Sequence, residues 1–548
     1  MNYPARWQHR IVGMLGMLGA IATFSQAIQA QTITPDQTLG AESSILLPNA
    51  NVRGLPASLI QGGATRGVNL FHSFQDFNIG VGDRVYFANP VGIETILGRV
   101  TGGNLSRIFG TLGVDGNANL FLINPNGIVF GVDARLDIAG SFVASTANSL
   151  TFGNSLEFSA TAPQPAPLLT MNVRPGLQYG TNSSATITNR GHLATGQDLT
   201  LAAGNLDLQG RLLAGRDLTL QALDTLTVRD SAVTPFLATA GGALTVQGER
   251  SVDIFALSHP ASGFFSGGNL VLRSANPISI DAHFQAGGSF RAEQLDGTPV
   301  GLISLYDPVF EVAGDFVAPG PYNGASLQIL AGGNVFLGDV TITGPSALFN
   351  NSTVTLSDGT LLNITGTAVP ILDVRAGQTA FFGLPTPGII TGSDVVVAGT
   401  ITIAPGGGVF LTNFNPAIPS QGVIITDAIN SPGGEVVLDS TNGIAVAGVI
   451  NLSNINGLGG DVTLLGGNGD ILFTAGSGIN STGVLGGNIR IETAGRFSAT
   501  QGGIASFSIG PAPGLRGGDI FIDVGSMFLD NSIIETSTIP LALLQLNS

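Results

Sequence analysis

The chain has no cysteine and no lysine, and all 20 of its basic residues are arginine. Without cysteine there are no disulfides, no thiol nucleophile and no thiolate metal site. Charged residues make up only 10% of the chain and the balance is −16, which disfavours phosphate backbones and anionic headgroups as partners; no nucleic-acid binding is expected. The single tryptophan is Trp7. Strong helix formers are scarce, whereas glycine (79), valine, isoleucine, leucine, threonine and asparagine are abundant, so an all-β fold is expected. With 43% hydrophobic residues the chain has ample apolar surface to bury, which argues against disorder.

Long apolar runs are also lacking, with one exception. Arg6 and Arg10 precede an uncharged run from Ile11 to Phe24, followed by small residues. That run is too short to span a bilayer comfortably and has the layout of an export signal, with cleavage after Ala27 or Ala30. The uncharged stretch Val395–Ile425 is broken by Pro405, Gly406-Gly407-Gly408, Pro416 and Pro419, which exclude a spanning helix.

From about residue 190 a template recurs: glycine, a small polar or acidic residue, then apolar-x-apolar. Gly204-Asn205-Leu206-Asp207-Leu208, Gly268-Asn269-Leu270-Val271-Leu272, Gly333-Asn334-Val335-Phe336-Leu337 and Gly518-Asp519-Ile520-Phe521-Ile522 are examples. Gly196-Gln197-Asp198-Leu199-Thr200-Leu201 returns almost unchanged as Gly215-Arg216-Asp217-Leu218-Thr219-Leu220. Each unit is a short strand with one apolar face, which it can bury only by stacking on the next unit. The glycine suits a corner where φ is positive or where backbones pass closely. These features predict a right-handed parallel β-helix with an N-terminal cap. A shaft of about 15–19 coils and on the order of 70–90 Å is expected over residues 176–548, with Leu199, Leu201, Leu218 and Leu220 inside and Thr200 and Thr219 outside.

Catalytic signals are thin. His72, His192, His259 and His283 are scattered without ligand spacing. Gly466-Gly467-Asn468-Gly469-Asp470 only loosely resembles a calcium nonapeptide, and it does not recur. Asp198, Asp217, Asp461 and Asp519 each precede a strand and could form an acidic ridge like that of polysaccharide-degrading β-helices, although acidic residues beside glycine are also ordinary turn chemistry. No enzyme activity, cofactor or metal is expected.

Residues 60–150 carry a denser set of motifs. They are Phe71-His72-Ser73-Phe74, Phe87-Ala88-Asn89-Pro90, Gly98-Arg99-Val100-Thr101-Gly102-Gly103-Asn104-Leu105, and Leu120-Phe121-Leu122-Ile123-Asn124-Pro125-Asn126-Gly127. By turn chemistry Asn124-Pro125-Asn126-Gly127 is a type I turn between two strands. The combination, behind an export signal, resembles the two-partner-secretion (haemagglutination activity) domain of filamentous haemagglutinin-like exoproteins. Relatives often carry an upstream Asn-Pro-Asn-Leu; the corresponding place here is Gly102-Gly103-Asn104-Leu105, without proline.

The resemblance implies a signal at 1–30, a secretion domain at 31–160, a Pro-rich loop at 161–175 and β-helix repeats at 176–548. It further implies a partner outer-membrane β-barrel transporter with periplasmic domains, Asn124, Pro125, Asn126 and Gly127 as the recognition motif, and folding outside the cell, coil upon coil. A cysteine-free chain fits passage through a narrow barrel. The role expected at the surface is adhesion or structure, toward a host or neighbour-cell glycan or protein. A contact-dependent toxin carrier is the alternative, but the repeats run to Thr538 and leave only Ile539–Ser548 for a toxic module.

Overall fold

The computed structural model describes residues 32–153, 156–167, 175–180, 184–306, 309–379, 393–416, 421–509 and 516–539. The export signal, with Ala27 and Ala30, lies outside the described residues.

Successive short strands wind into a parallel β-helix with three strands per coil. One coil is Thr186–Asn189, His192–Thr195 and Leu199–Ala203; the next is Asn205–Leu208, Arg211–Ala214 and Leu218–Ala222. Each strand pairs in parallel with its counterpart one coil away. The near-copy in the sequence is the register of the fold: Leu199, Thr200 and Leu201 pair with Leu218, Thr219 and Leu220. All four leucines are fully buried, and the two threonines face outward. Their apolar rows continue as one core from Ile33 to Ile504. Aromatic residues stack in it at coil spacing, as in Phe264, Phe284 and Phe310 at centroid distances of 5.2 and 5.3 Å.

The recurring glycine and its polar neighbour are explained at the corners. A Cβ on Gly215 would lie 2.2 Å from the Gly196 carbonyl oxygen, and one on Gly241 2.3 Å from that of Gly215. Close passage of stacked backbones, not a positive φ, therefore demands glycine here. The polar residue caps the following coil. Asp198 Oδ1 accepts the Asp217 N–H at 3.3 Å, and Asp217 Oδ1 accepts the Ala243 N–H at 2.8 Å. Further on, Ser289 Oγ accepts from Asp315, Asp315 Oδ1 from Asn334, and Asn334 Oδ1 from Asp394. Asparagine and serine serve as well as aspartate, so the column needs an acceptor rather than a charge. The aspartates flagged in the sequence sit in such corners: Asp461 Oδ1 accepts the Asn488 N–H, and Asn488 Oδ1 the Asp519 N–H.

Two details depart from expectation. Among the described residues, the column that contains Thr186–Asn189 holds 16 strands, from Ser106–Ile108 to Ile533–Ile539, and 14 of them follow residue 176, fewer than the 15–19 coils expected. Long excursions consume the difference, the largest between Val340–Gly344 and Ile401–Ile403, which pair as neighbours. Nor do the repeats begin at Gly176. Gly176–Gln178 joins Ser149–Phe152 and Leu156–Ser159 in an antiparallel sheet outside the helix, and the stack resumes at Thr186–Asn189. Parallel stacking starts well before the Pro-rich loop, with Leu55–Gly62 on Arg84–Ala88 and Asn69–Asn78 on Thr95–Val100.

The first coil is capped by antiparallel strands. Thr32–Pro35 lies along Asn69–Asn78, and Ser44–Val52 forms a hairpin with Leu55–Gly62. Arg53 and Gly54 turn that hairpin with φ of 54° and 82°, the positive pair that a two-residue primed turn requires. The cap supplies the first apolar layer with its missing neighbour and ends the row of unpaired edge groups.

Candidate functional site

The Asn124-Pro125-Asn126-Gly127 turn follows the strand Asn119–Ile123 and leads into Ile128–Phe130. It closes with the Gly127 N–H on the Asn124 carbonyl at 3.1 Å. Asn124 is fully buried. Its Nδ2 donates to the Asn104 carbonyl and to Ser106 Oγ, both at 3.0 Å, while its Oδ1 accepts the Asn126 N–H at 2.9 Å. Asn126 is exposed and donates through Nδ2 to the Gly102 carbonyl at 2.8 Å. The turn and the Gly102-Gly103-Asn104-Leu105 segment are thus joined across consecutive coils, although about twenty residues separate them in sequence. Gly103, Asn104, Leu105, Pro125 and Asn126 line one open cleft of about 740 Å³. The buried asparagine braces the turn, and the cleft displays the other side chains.

Residues 31–292 match the TPS secretion domain family, beyond the 31–160 expected from the motifs. Residues 31–292 are a two-partner-secretion domain. A relative is the heme/hemopexin-binding protein of Haemophilus influenzae, 34% identical over 105 residues, which are 19% of this chain. That stretch spans 11% of the relative's own length. The HMW1 secretion domain from Haemophilus influenzae aligns over 92% of this chain and 100% of its own at 15% identity, with a TM-score of 0.25, too low to bear on structural detail. Residues 31–292, just under half of the chain, thus carry the export domain of proteins that are secreted through the periplasm to the surface of Gram-negative bacteria.

Two other motifs, Phe71–Phe74 and Gly98–Leu105, meet in a buried polar knot that turn and strand patterns did not reveal. Arg99 is fully buried. Its Nε donates to Ser73 Oγ at 2.9 Å and its Nη2 to Thr38 Oγ1 at 2.7 Å. It also reaches the Ser159 and Gln164 carbonyls, both at 2.8 Å, and its guanidinium lies 4.0 Å from the Phe158 ring centre. Asp36 accepts from Ser73 and Thr101 hydroxyls at 2.7 and 2.6 Å and from the Thr38 N–H and hydroxyl. Burial pushes Arg99 down to about 10, opposed by the Asp36 charge. At Asp36 burial acts upward, but the donors from Thr101, Thr38 and Ser73 prevail and hold it below the usual carboxylate range. One arginine thereby ties the cap, the Phe-His-Ser-Phe strand and the outer sheet together. A lone arginine in an otherwise uncharged, continuously buried strand was the available signal.

His72 packs, as its surroundings in the sequence suggested. It is fully buried, its Nδ1 lies 3.0 Å from Ser44 Oγ, and its Nε2 has no hydrogen-bond partner. Burial pushes it down to about 3, so it is neutral. His192 lies in the second column, far along the chain from His259 and His283, and among the described residues no three histidines or carboxylates gather as a metal site.

Proposed function

We propose that the cleft between Gly102–Leu105 and Asn124–Gly127 is read by the periplasmic domains of a cognate outer-membrane β-barrel transporter, and that the exported β-helix serves as an adhesin or structural element at the cell surface. The observation that carries this is the hydrogen-bonded union of the two motifs in one cleft, which Asn104 and Asn126 line as exposed residues and Leu105 as a half-buried one. Because the stack can grow one coil at a time from its capped end, folding outside the cell would also bias the chain outward.

The test is export with the cognate transporter co-expressed. Asn126→Ala combined with Leu105→Ala is expected to leave periplasmic synthesis intact and to cut secretion severalfold. Secretion at the wild-type level would defeat the reading. The surface role is tested separately, by adherence of the exported protein to cells.

A further inference from the structure

A second groove lies on the outer face of the second strand column, away from the export cleft. Gly263–Ser266, Phe284–Ala286 and Val309–Val312 stack in parallel register, so that Phe265, Gln285 and Glu311 follow one another down the face. At about 4.8 Å per coil these three span roughly 10 Å. Pro260, on the loop before Gly263, forms one wall; Leu348 and Asn350, from the excursion after Gly344, form the other. They enclose a cavity of about 340 Å³, within the range of small-ligand sites.

Both walls are fixed. Asp230 accepts the N–H groups of Ser258 and His259 and the Ser262 hydroxyl, at 3.1, 2.8 and 2.7 Å. On the far side Ser346 Oγ donates to the Tyr306 carbonyl at 2.7 Å, and Gln328 Nε2 to the Asn350 carbonyl at 3.3 Å. The excursion is itself clamped to the helix where Phe349, Leu356 and Ile364 pack on Phe410, Val437 and Leu465.

The floor combines an apolar ring with a buried carboxylate that accepts from Gln285 Nε2 at 3.2 Å. A purely apolar occupant would cover the Gln285 amide and the Glu311 carboxylate without offering either a hydrogen bond. An anionic one would meet the Glu311 carboxylate and the net charge of −16, against which the lining sets His283 alone as a group able to carry positive charge. A neutral pyranose meets both demands: its C–H face lies against an aromatic face, and its neighbouring hydroxyls donate to a carboxylate and exchange hydrogen bonds with an amide. We propose that this groove binds a neutral oligosaccharide through one or two pyranose units, with Phe265 as platform and Glu311 and Gln285 as hydrogen-bonding partners. This rests on the adhesin reading and gives it a ligand class and a place.

The test is calorimetric titration of the full secreted protein with neutral oligosaccharides built from glucose, galactose, mannose and N-acetylhexosamines. Binding by the wild type is expected, weakened about tenfold or more by Phe265→Ala or Glu311→Gln, the size of losing one good contact. Leu348→Arg, at an exposed position, should obstruct the groove with no change in melting temperature, which keeps the test decisive if a floor variant misfolds. Saccharide binding unchanged in all three variants overturns the proposal. So does the absence of saccharide binding by a protein that still adheres to cells, which leaves the adhesin reading standing. Loss of both overturns the two together.

Discussion

At the residue scale, side chains that look equivalent in the motif do different work. Asn124 is an internal brace. Asn124→Ala would strip a buried carbonyl and hydroxyl of their donor and is expected to lower stability by about 1–3 kcal/mol, measured by denaturant unfolding. Asn126→Ala, at an exposed position, should cost about 0.5 kcal/mol or less. His72 makes a pH prediction. Its folded value of about 3 lies below the ordinary 6.5, so between those limits the unfolded chain binds a proton that the native chain refuses. Stability is therefore full above about pH 6.5 and falls as the pH drops, by up to about 1.4 kcal/mol per unit. His192, lowered by burial and by Arg135 and Arg211, adds in the same direction. Unfolding midpoints between pH 7 and 4.5 should fall in the wild type and flatten in His72→Gln; an equal slope in both would refute the assignment.

At the element scale the unit is the corner. Its glycine is there because the next backbone passes over it, and its polar residue is there to cap an N–H of the following coil. Gly241→Ala should destabilise by about 1–3 kcal/mol, because the new methyl meets a backbone oxygen that cannot step aside. Asp217→Asn should be close to neutral since the amide oxygen still accepts, whereas Asp217→Ala should cost about 1 kcal/mol. Thermal or urea unfolding of the three variants checks the ranking. If Asp217→Asn proves as costly as Asp217→Ala, the carboxylate charge matters and an acidic ridge returns as a possibility. The two-residue alternation and the repeat were legible in the chain; the corner's purpose was not, since glycine followed by aspartate is also common in isolated turns.

At the scale of the whole molecule, 16 strands in one column leave 15 intervals, which at about 4.8 Å give a shaft of roughly 70 Å, to which the cap adds. Small-angle scattering should show an elongated particle of at least that length, and a near-spherical one would contradict the fold. Over residues 176–548 alone the 14 strands leave 13 intervals, roughly 62 Å, short of the sequence-based 70–90 Å because residues spent in excursions add width and walls without adding coils. Excursions also create what lies outside the core: the sheet of Ser149–Phe152, Leu156–Ser159 and Gly176–Gln178 packs on Phe71, Leu97 and Ile123, and the loop after Gly344 walls the second groove.

The sequence by itself determined the coil. Period-two apolar spacing, recurring glycine corners and a near-copy from Asp198 to Asp217 leave stacking as the way to bury each strand, and the motif cluster at 71–127 was enough to recognise a secretion domain, though not its extent to residue 292. Tertiary structure alone decided which distant segments meet. Arg99 joins Thr38, Ser73 and Gln164, Asn126 meets Gly102, and Leu348 lines one groove with Phe265. Coil lengths set those juxtapositions, and they vary because a loop can leave the stack at any corner while the strands on either side still pair. Local pattern constrains each strand's own faces, but the neighbour a side chain acquires across coils depends on every residue inserted between them.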